Sequence, residues 1–298
     1  MIRWSSVVRV LGPAEATELV GKRPGPMVAS ESLRGVGCGV RDAETGQPLV
    51  AIAPIPDGLL GELHRLLPEM KVTTTLRAAS GYRNASRVFG WAPRKPMFKH
   101  ESCHPTPFMR DDPELAQTLL ALADFSGSWL EESLPAVAKR NLVGVAPIHA
   151  DWRLTKGPGR AWTSGVINRN SALPYHRDGN NFPTWSVQAC IRSNVAGGLL
   201  SLPEYGLTIP CADGSLVYFW GQRYVHGVTP LAPLPRADAY RFTIVYYALR
   251  GMKDCASYAV EQAAGRAKRA QRETRIATVG VNYGKRTTAT AKVTIRDS

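Results

Sequence analysis

The hydrophobic period of the chain changes along its length, and each change marks a different kind of element. Short apolar runs around Trp4–Leu11, Val36–Arg41 and Pro48–Ile52 read as strands, the last two flanking Asp42–Gln47 as a hairpin; Gly/Pro-rich Gly21–Pro26 reads as loop. Asp57–Leu67 carries Leu59, Leu60, Leu63 and Leu66 at helical spacing, with Asp57 as the expected N-cap. Pro113–Arg140 is the longest helical pattern, with Pro113 suited to a first turn and Gly127 as the expected interruption. After Asn141 the period shortens. Trp162–Asn168, Trp185–Ile191, Gly198–Leu202, Tyr205–Ile209, Ser215–Trp220 and Tyr240–Ala248 are β-rich runs separated by Gly, Pro, Asn and Asp. That succession predicts an α+β fold with a jelly-roll core, a double-stranded β-helix over about 141–250. The N-terminal elaboration is 1–140, the two together forming one domain over 1–250, and 251–298 is an Ala-rich helix followed by a basic tail.

Composition narrows the setting. No stretch approaches the roughly 20 apolar residues of a membrane span, and Met1–Ser6 lacks the apolar core of a secretory signal, so a soluble intracellular chain is expected, cytoplasmic or nuclear according to its host. Five scattered cysteines with no CxxC pair fit neither a disulfide framework nor a zinc ribbon, and a reducing interior is expected. The net charge of +13 favours polyanion partners. It concentrates between Arg266 and Arg296, where nine Lys/Arg face Glu273 alone. The run is either a solvated helix face or a phosphate-binding surface, and its lopsided sign favours phosphate. Thr73–Asp112 reads as a functional loop in which Arg77, Arg83, Arg87, Arg94, Lys95 and Lys99 interleave with Tyr82, Phe89 and Trp91, as in strand-gripping surfaces. His100, Cys103 and His104 lack a fourth ligand for a second metal.

The chemistry lies in the β-rich segment. In extended backbone, His176 and Asp178 of His176-Arg177-Asp178 project to the same side and can share one ion. His226, just after the run Ser215–Trp220, is the candidate third ligand. Two histidines and one carboxylate leave open positions on an iron(II) ion for dioxygen and a cosubstrate. Arg241 lies in the otherwise apolar Tyr240–Tyr247, where a guanidinium needs an anionic partner and suits a carboxylate. Taken singly these residues have plainer uses: a chance His-x-Asp, a core histidine, an internal ion pair. Together they point to an oxygenase whose cosubstrate is 2-oxoglutarate; a zinc hydrolase would not need Arg241.

Three segments carry a resemblance: Ser164-Gly165-Val166, His176-Arg177-Asp178-Gly179-Asn180-Asn181 and Arg241-Phe242-Thr243-Ile244-Val245-Tyr246-Tyr247. Over Trp162–Ala248 the chain resembles the TET/JBP family of 2-oxoglutarate dioxygenases, which oxidise the methyl of 5-methylcytosine or thymine in nucleic acid. The resemblance implies His176, Asp178 and His226 as Fe(II) ligands, Arg241 and Thr243 as holders of 2-oxoglutarate, and Arg192 as a further arginine near it. It also implies Asn181 and Tyr247 at a flipped base, with Asn180 beside them. Asn180 and Leu249 stand where TET proteins have histidines, and their cysteine-rich zinc module is absent. The expected reaction is hydroxylation of 5-methylcytosine in DNA with Fe(II), 2-oxoglutarate and O2. Thymine in DNA, a protein or small-molecule substrate of the same chemistry, or a non-catalytic nucleic-acid-binding module are the alternatives. No obligate protein partner is evident.

Overall fold

A computed structural model describes residues 2–72, 74–77, 82–94, 102–233 and 238–279. The first part of the chain forms β1 (Arg3–Val7), α1 (Pro13–Thr17), β2 (Cys38–Asp42), β3 (Pro48–Pro54), α2 (Asp57–Leu66), β4 (Thr74–Arg77), β5 (Tyr82–Ala92) and β6 (His104–Pro105). Helices α3 (Phe108–Asp111), α4 (Pro113–Ser133) and α5 (Pro135–Gly144) follow. The β-rich part comprises β7 (Ser164–Arg169), β8 (Ser186–Ser193), β9 (Val195–Gly197), β10 (Leu200–Leu202), β11 (Leu207–Ile209), β12 (Ser215–Phe219), β13 (Gly227–Val228), β14 (Leu231–Pro233) and β15 (Tyr240–Tyr247). Helix α6 (Tyr258–Val279) is the last described element.

The major sheet runs β1-β2-β3-β12-β8-β15-β7-β5-β4, with β6 attached to β5. Two small sheets, β11-β10-β13 and β14-β9, form the opposing layer. Between the layers, Leu200, Leu202, Leu207 and Ile209 pack on Val50, Ile52, Val217 and Phe219. The other face of the major sheet is covered by α2, α4 and α5 through Leu63, Leu115, Leu119, Leu122 and Val137. Strand β15 therefore lies between two layers and is read by parity: Phe242, Ile244 and Tyr246 join the helical side, while Thr243, Val245 and Tyr247 line a cavity on the other. The Tyr246 hydroxyl donates to the Leu119 carbonyl at 2.8 Å, satisfying its polar end against α4.

The segment 141–250 gives both small sheets and four strands of the major sheet, and the other six strands of that sheet precede it. Several expectations need correcting. Thr73–Asp112 is not an irregular loop, since β5 pairs with β7 over Ala85–Gly90. Phe89 is fully buried and Trp91 packs on Trp152, while Arg87 and Arg94 pair with Asp111 and Glu261. These side chains serve the fold instead of forming an open gripping surface. Lys95, Lys99 and His100 lie outside the described residues.

Asp57 is the first helical residue of α2, and Pro56 is its N-cap. Gly127 does not interrupt α4; the break falls at Leu134, which Pro135 forces out of helical backbone. Gly127 has a packing reason instead. A Cβ there would stand 2.3 Å from the Pro158 carbonyl group, so only glycine lets that segment cross the helix.

The reduced-cysteine expectation fails for one pair: Cys103 and Cys255 form a disulfide spanning 152 residues. That bond also removes Cys103 as a metal ligand. It helps root α6, together with Glu261, which accepts from the Cys103 and Ala256 amides at 2.9 and 3.0 Å and pairs with Arg94 at 2.8 Å. No described helix is long and apolar enough to cross a membrane.

Candidate active site

Three peptides converge at the mouth between the layers. The segment before β8 carries His176 and Asp178, and the turn after β12 carries His226. They are joined by a two-residue bridge in which the His176 amide donates to the His226 carbonyl at 2.8 Å and the reverse bond measures 2.9 Å. The Asp178 amide donates to the Gly221 carbonyl at 3.1 Å. Gly221 must be small, because a Cβ would lie 2.5 Å from Asp178 Oδ2.

Side-chain geometry follows from these backbone contacts. His176 Nδ1 lies 2.8 Å from the Pro174 carbonyl and His226 Nδ1 lies 3.0 Å from the Tyr224 carbonyl. A carbonyl only accepts, so both Nδ1 atoms carry hydrogen and both Nε2 atoms present a lone pair. Asp178 Oδ1 faces these lone pairs at 3.7 and 3.9 Å. Both separations are below twice the ~2.1 Å of a metal–donor bond, and the three groups offer donor atoms all within 4.8 Å of one another. Burial and the neighbouring His176 hold the His226 imidazole well below its ordinary pKa, at about 4, with Asp178 opposing. Neutral imidazole is the form that ligates a metal. The donor set fits a divalent transition ion.

A cavity of about 300 Å³ opens beside these residues. Its floor is a cross-strand row, Val88–Val166–Val245–Gln188, in register across β5, β7, β15 and β8. One side is polar: Thr243 and Asn168 meet there, with Asn168 Nδ2 donating to Thr243 Oγ1 at 3.4 Å. The other side carries Asn180, Asn181, Tyr247 and Leu249.

Arg241 lies just behind the polar side and is 1% exposed. Its Nη1 reaches the Ser171 carbonyl at 3.5 Å, while Nε and Nη2 are buried with no acceptor. A guanidinium left so incomplete is the signature of a place for an anion. Gly198, at φ +66°, closes over it, since a Cβ there would come within 2.8 Å of Arg241 Nε.

Arg192, expected near the cosubstrate, stands beside Arg241 in the major sheet. Its guanidinium donates to the carbonyls of Val195, Gly197 and Cys211, and it does not line the cavity. Its Nη1 and Nη2 thus bond to β9 and to the turn after β11.

Sequence reading also missed Gln188, which is buried and lines the cavity, its Nε2 3.4 Å from the sulfurs of Cys190 and Cys211. An amide inside the apolar run Val187–Ile191, on the same parity as the cavity, was the available signal. The Cys190 thiol is lowered from its usual pKa by the hydrogen bond from Cys211, which outweighs the opposing effect of burial, with the charge of Arg241 adding to the lowering.

No family model matches this sequence, and no curated protein does. Solved structures do. NgTET1 in complex with 5mC DNA superposes with a TM-score of 0.55 over 86% of each chain at 15% identity. A 2OG-Fe(II) oxygenase family oxidoreductase from Burkholderia pseudomallei gives 0.42 over 66% of this chain and 84% of that one at 14% identity. A full-length protein from Neurospora crassa in complex with alpha-KG gives 0.35 over 68% and 79% at 13% identity. The fold of this chain is similar to that of NgTET1, a double-stranded β-helix flanked by helices.

Proposed function

We propose that this chain is an Fe(II)- and 2-oxoglutarate-dependent dioxygenase that hydroxylates the methyl group of 5-methylcytosine in DNA. The observation that carries the reading is a His/Asp/His donor set lining the cavity and, buried behind it against the Ser171 carbonyl, an arginine whose Nε and Nη2 have no acceptor. His176, Asp178 and His226 hold the ion. Iron(II) with 2-oxoglutarate and dioxygen supplies oxidation of an unactivated C–H bond, releasing succinate and carbon dioxide. Arg241 fixes the far carboxylate of 2-oxoglutarate, and Thr243 with Asn168 offers polar groups beside it.

On the substrate side, Asn181 and Tyr247 present polar groups near the donor set, with Asn180 and Leu249 at the rim. A base can reach a site this deep only by leaving its stack. The choice of DNA rests on the 5mC DNA in the NgTET1 structure and on α6. Beyond Glu261 that helix exposes Arg266, Lys268, Arg269 and Arg275. The basic residues Lys285, Arg286, Lys292 and Arg296 lie outside the described residues.

The test is mass spectrometry of nucleosides after incubation of 5-methylcytosine DNA, thymine DNA and methylated RNA with Fe(II), ascorbate and 2-oxoglutarate. 5-Hydroxymethylcytosine with matching succinate is the expected result. Succinate formed only with a peptide or free amino acid would refute the DNA assignment, and none with any substrate would refute the enzyme. A second measurement addresses α6. Replacing Arg266, Lys268 and Arg269 together with glutamine should weaken DNA binding and flatten the slope of log K against log salt by up to about 3 in fluorescence anisotropy. An unchanged slope would remove the helix from the interface.

A further inference from the structure

The segment Val10–Pro24 lies more than 150 residues before the ligand set in sequence, yet it touches the residues that flank both histidines. The Gly21 amide donates to the Tyr175 carbonyl at 2.8 Å, and the Tyr175 amide to the Lys22 carbonyl at 2.9 Å. Ala16 of α1 is fully buried against Tyr175 and Val225. Pro24 packs on Gly227, where a Cβ would lie 2.8 Å from its ring. Tyr175 and Arg177 flank His176, and Val225 and Gly227 flank His226. The N-terminal segment thus grips the outer edges of the two-histidine bridge.

Arg177 closes the arrangement. Its Nε donates to the Arg223 carbonyl at 3.0 Å, its Nη1 to Thr17 Oγ1 at 2.7 Å, and its Nη2 to the Pro13 carbonyl at 3.4 Å and Glu204 Oε1 at 3.3 Å. Glu204, 2% exposed, also accepts from the Val225 amide at 3.2 Å through the same oxygen, and its own carbonyl accepts from the Val10 and Leu11 amides at 2.9 and 3.2 Å. One arginine between two ligands is therefore tied to α1, to the turn before the third ligand, and to a buried carboxylate that holds the amide next to that ligand.

We infer that Arg177 and Glu204, with the strap Val10–Pro24, are positioning residues that set the spacing of His176 and Asp178 against His226. The inference rests on reading those three residues as a metal site. Ligands must be held within about 0.5 Å of the productive arrangement, and outer partners of ligands are typically worth 10- to 100-fold in metal affinity. Arg177 borders the cavity, but every acceptor its guanidinium reaches belongs to the strap, to the turn before His226 or to Glu204. The effect of these contacts is therefore carried by the backbone of the ligands.

The experiment is anaerobic titration of the full chain with Co(II), followed by its d–d absorption. Arg177→Gln is expected to lose about 10-fold or more in Co(II) affinity and to change the band pattern. Arg177→Lys recovers only part, because an ammonium cannot replace the planar fork. Thr17→Val, which leaves the buried pair with Glu204 intact, is expected to weaken binding several-fold, and it decides the matter where Arg177→Gln does not fold. Affinity within twofold of the parent with an unchanged spectrum in the folded variants would overturn the inference, even with lowered thermal stability. Failure of the underlying site reading gives a different result: the parent and Asp178→Ala would bind Co(II) equally.

Discussion

Asp178→Ala is expected to reduce hydroxylated nucleoside and coupled succinate to background in a protein that still folds. The carboxylate is the one anionic donor in the set, and its Oδ1 faces both imidazole nitrogens. Loss of a ligand should cost more than the roughly 10- to 100-fold in metal affinity typical of outer partners. The fold should tolerate the change. Asp178 is partly exposed and its amide stays bonded to Gly221, so stability of the metal-free protein should shift by no more than about 1 kcal/mol. Circular dichroism and urea unfolding of the metal-free variant, set beside succinate formation, separate the two effects. A folded variant that turns over at the parent rate would remove Asp178 from the metal site.

What the sequence revealed divides along a physical line. The His176-x-Asp178 spacing and the β2–β3 hairpin were legible because each depends on backbone geometry over a few residues. Strand β5 was not legible, because its arginines and aromatics read as a nucleic-acid surface while β7, with which it pairs over Ala85–Gly90, lies in a distant part of the chain. The Cys103–Cys255 bond and the Arg177–Glu204 pair join residues whose proximity only the folded topology creates. Arg192 stands beside Arg241, and the carbonyls of Val195, Gly197 and Cys211 that accept from its Nη1 and Nη2 come near it only in the folded chain. The α4–α5 break was available in principle, since proline at 135 is a stronger helix terminator than glycine at 127.

Arg241→Met is expected to make the metal-free, cosubstrate-free protein more stable and the enzyme nearly inactive at ordinary 2-oxoglutarate concentrations. In the free protein the guanidinium is 1% exposed, with two buried nitrogens lacking acceptors, so its charge is poorly compensated. A side chain of similar length without that charge should raise stability by about 1–4 kcal/mol, the gain typical when buried ionic groups give way to apolar ones. Binding reverses the sign. A fork–fork pair between Arg241 and the far carboxylate would form where the guanidinium is buried, and losing one partner of such a pair costs about 2–5 kcal/mol, or roughly 30- to 5,000-fold in affinity. Saturating 2-oxoglutarate at 100 times its Kd adds about 2.7 kcal/mol to the parent and should add almost nothing to the variant. Thermal melts with and without 2-oxoglutarate, together with KM for 2-oxoglutarate, read both halves at once. An apo variant less stable than the parent would mean that Arg241 is already satisfied in the free protein, and an unchanged KM would place the carboxylate elsewhere. The expected inversion, a site held at the expense of stability until its anion arrives, is the behaviour that distinguishes a binding arginine from one that serves the core.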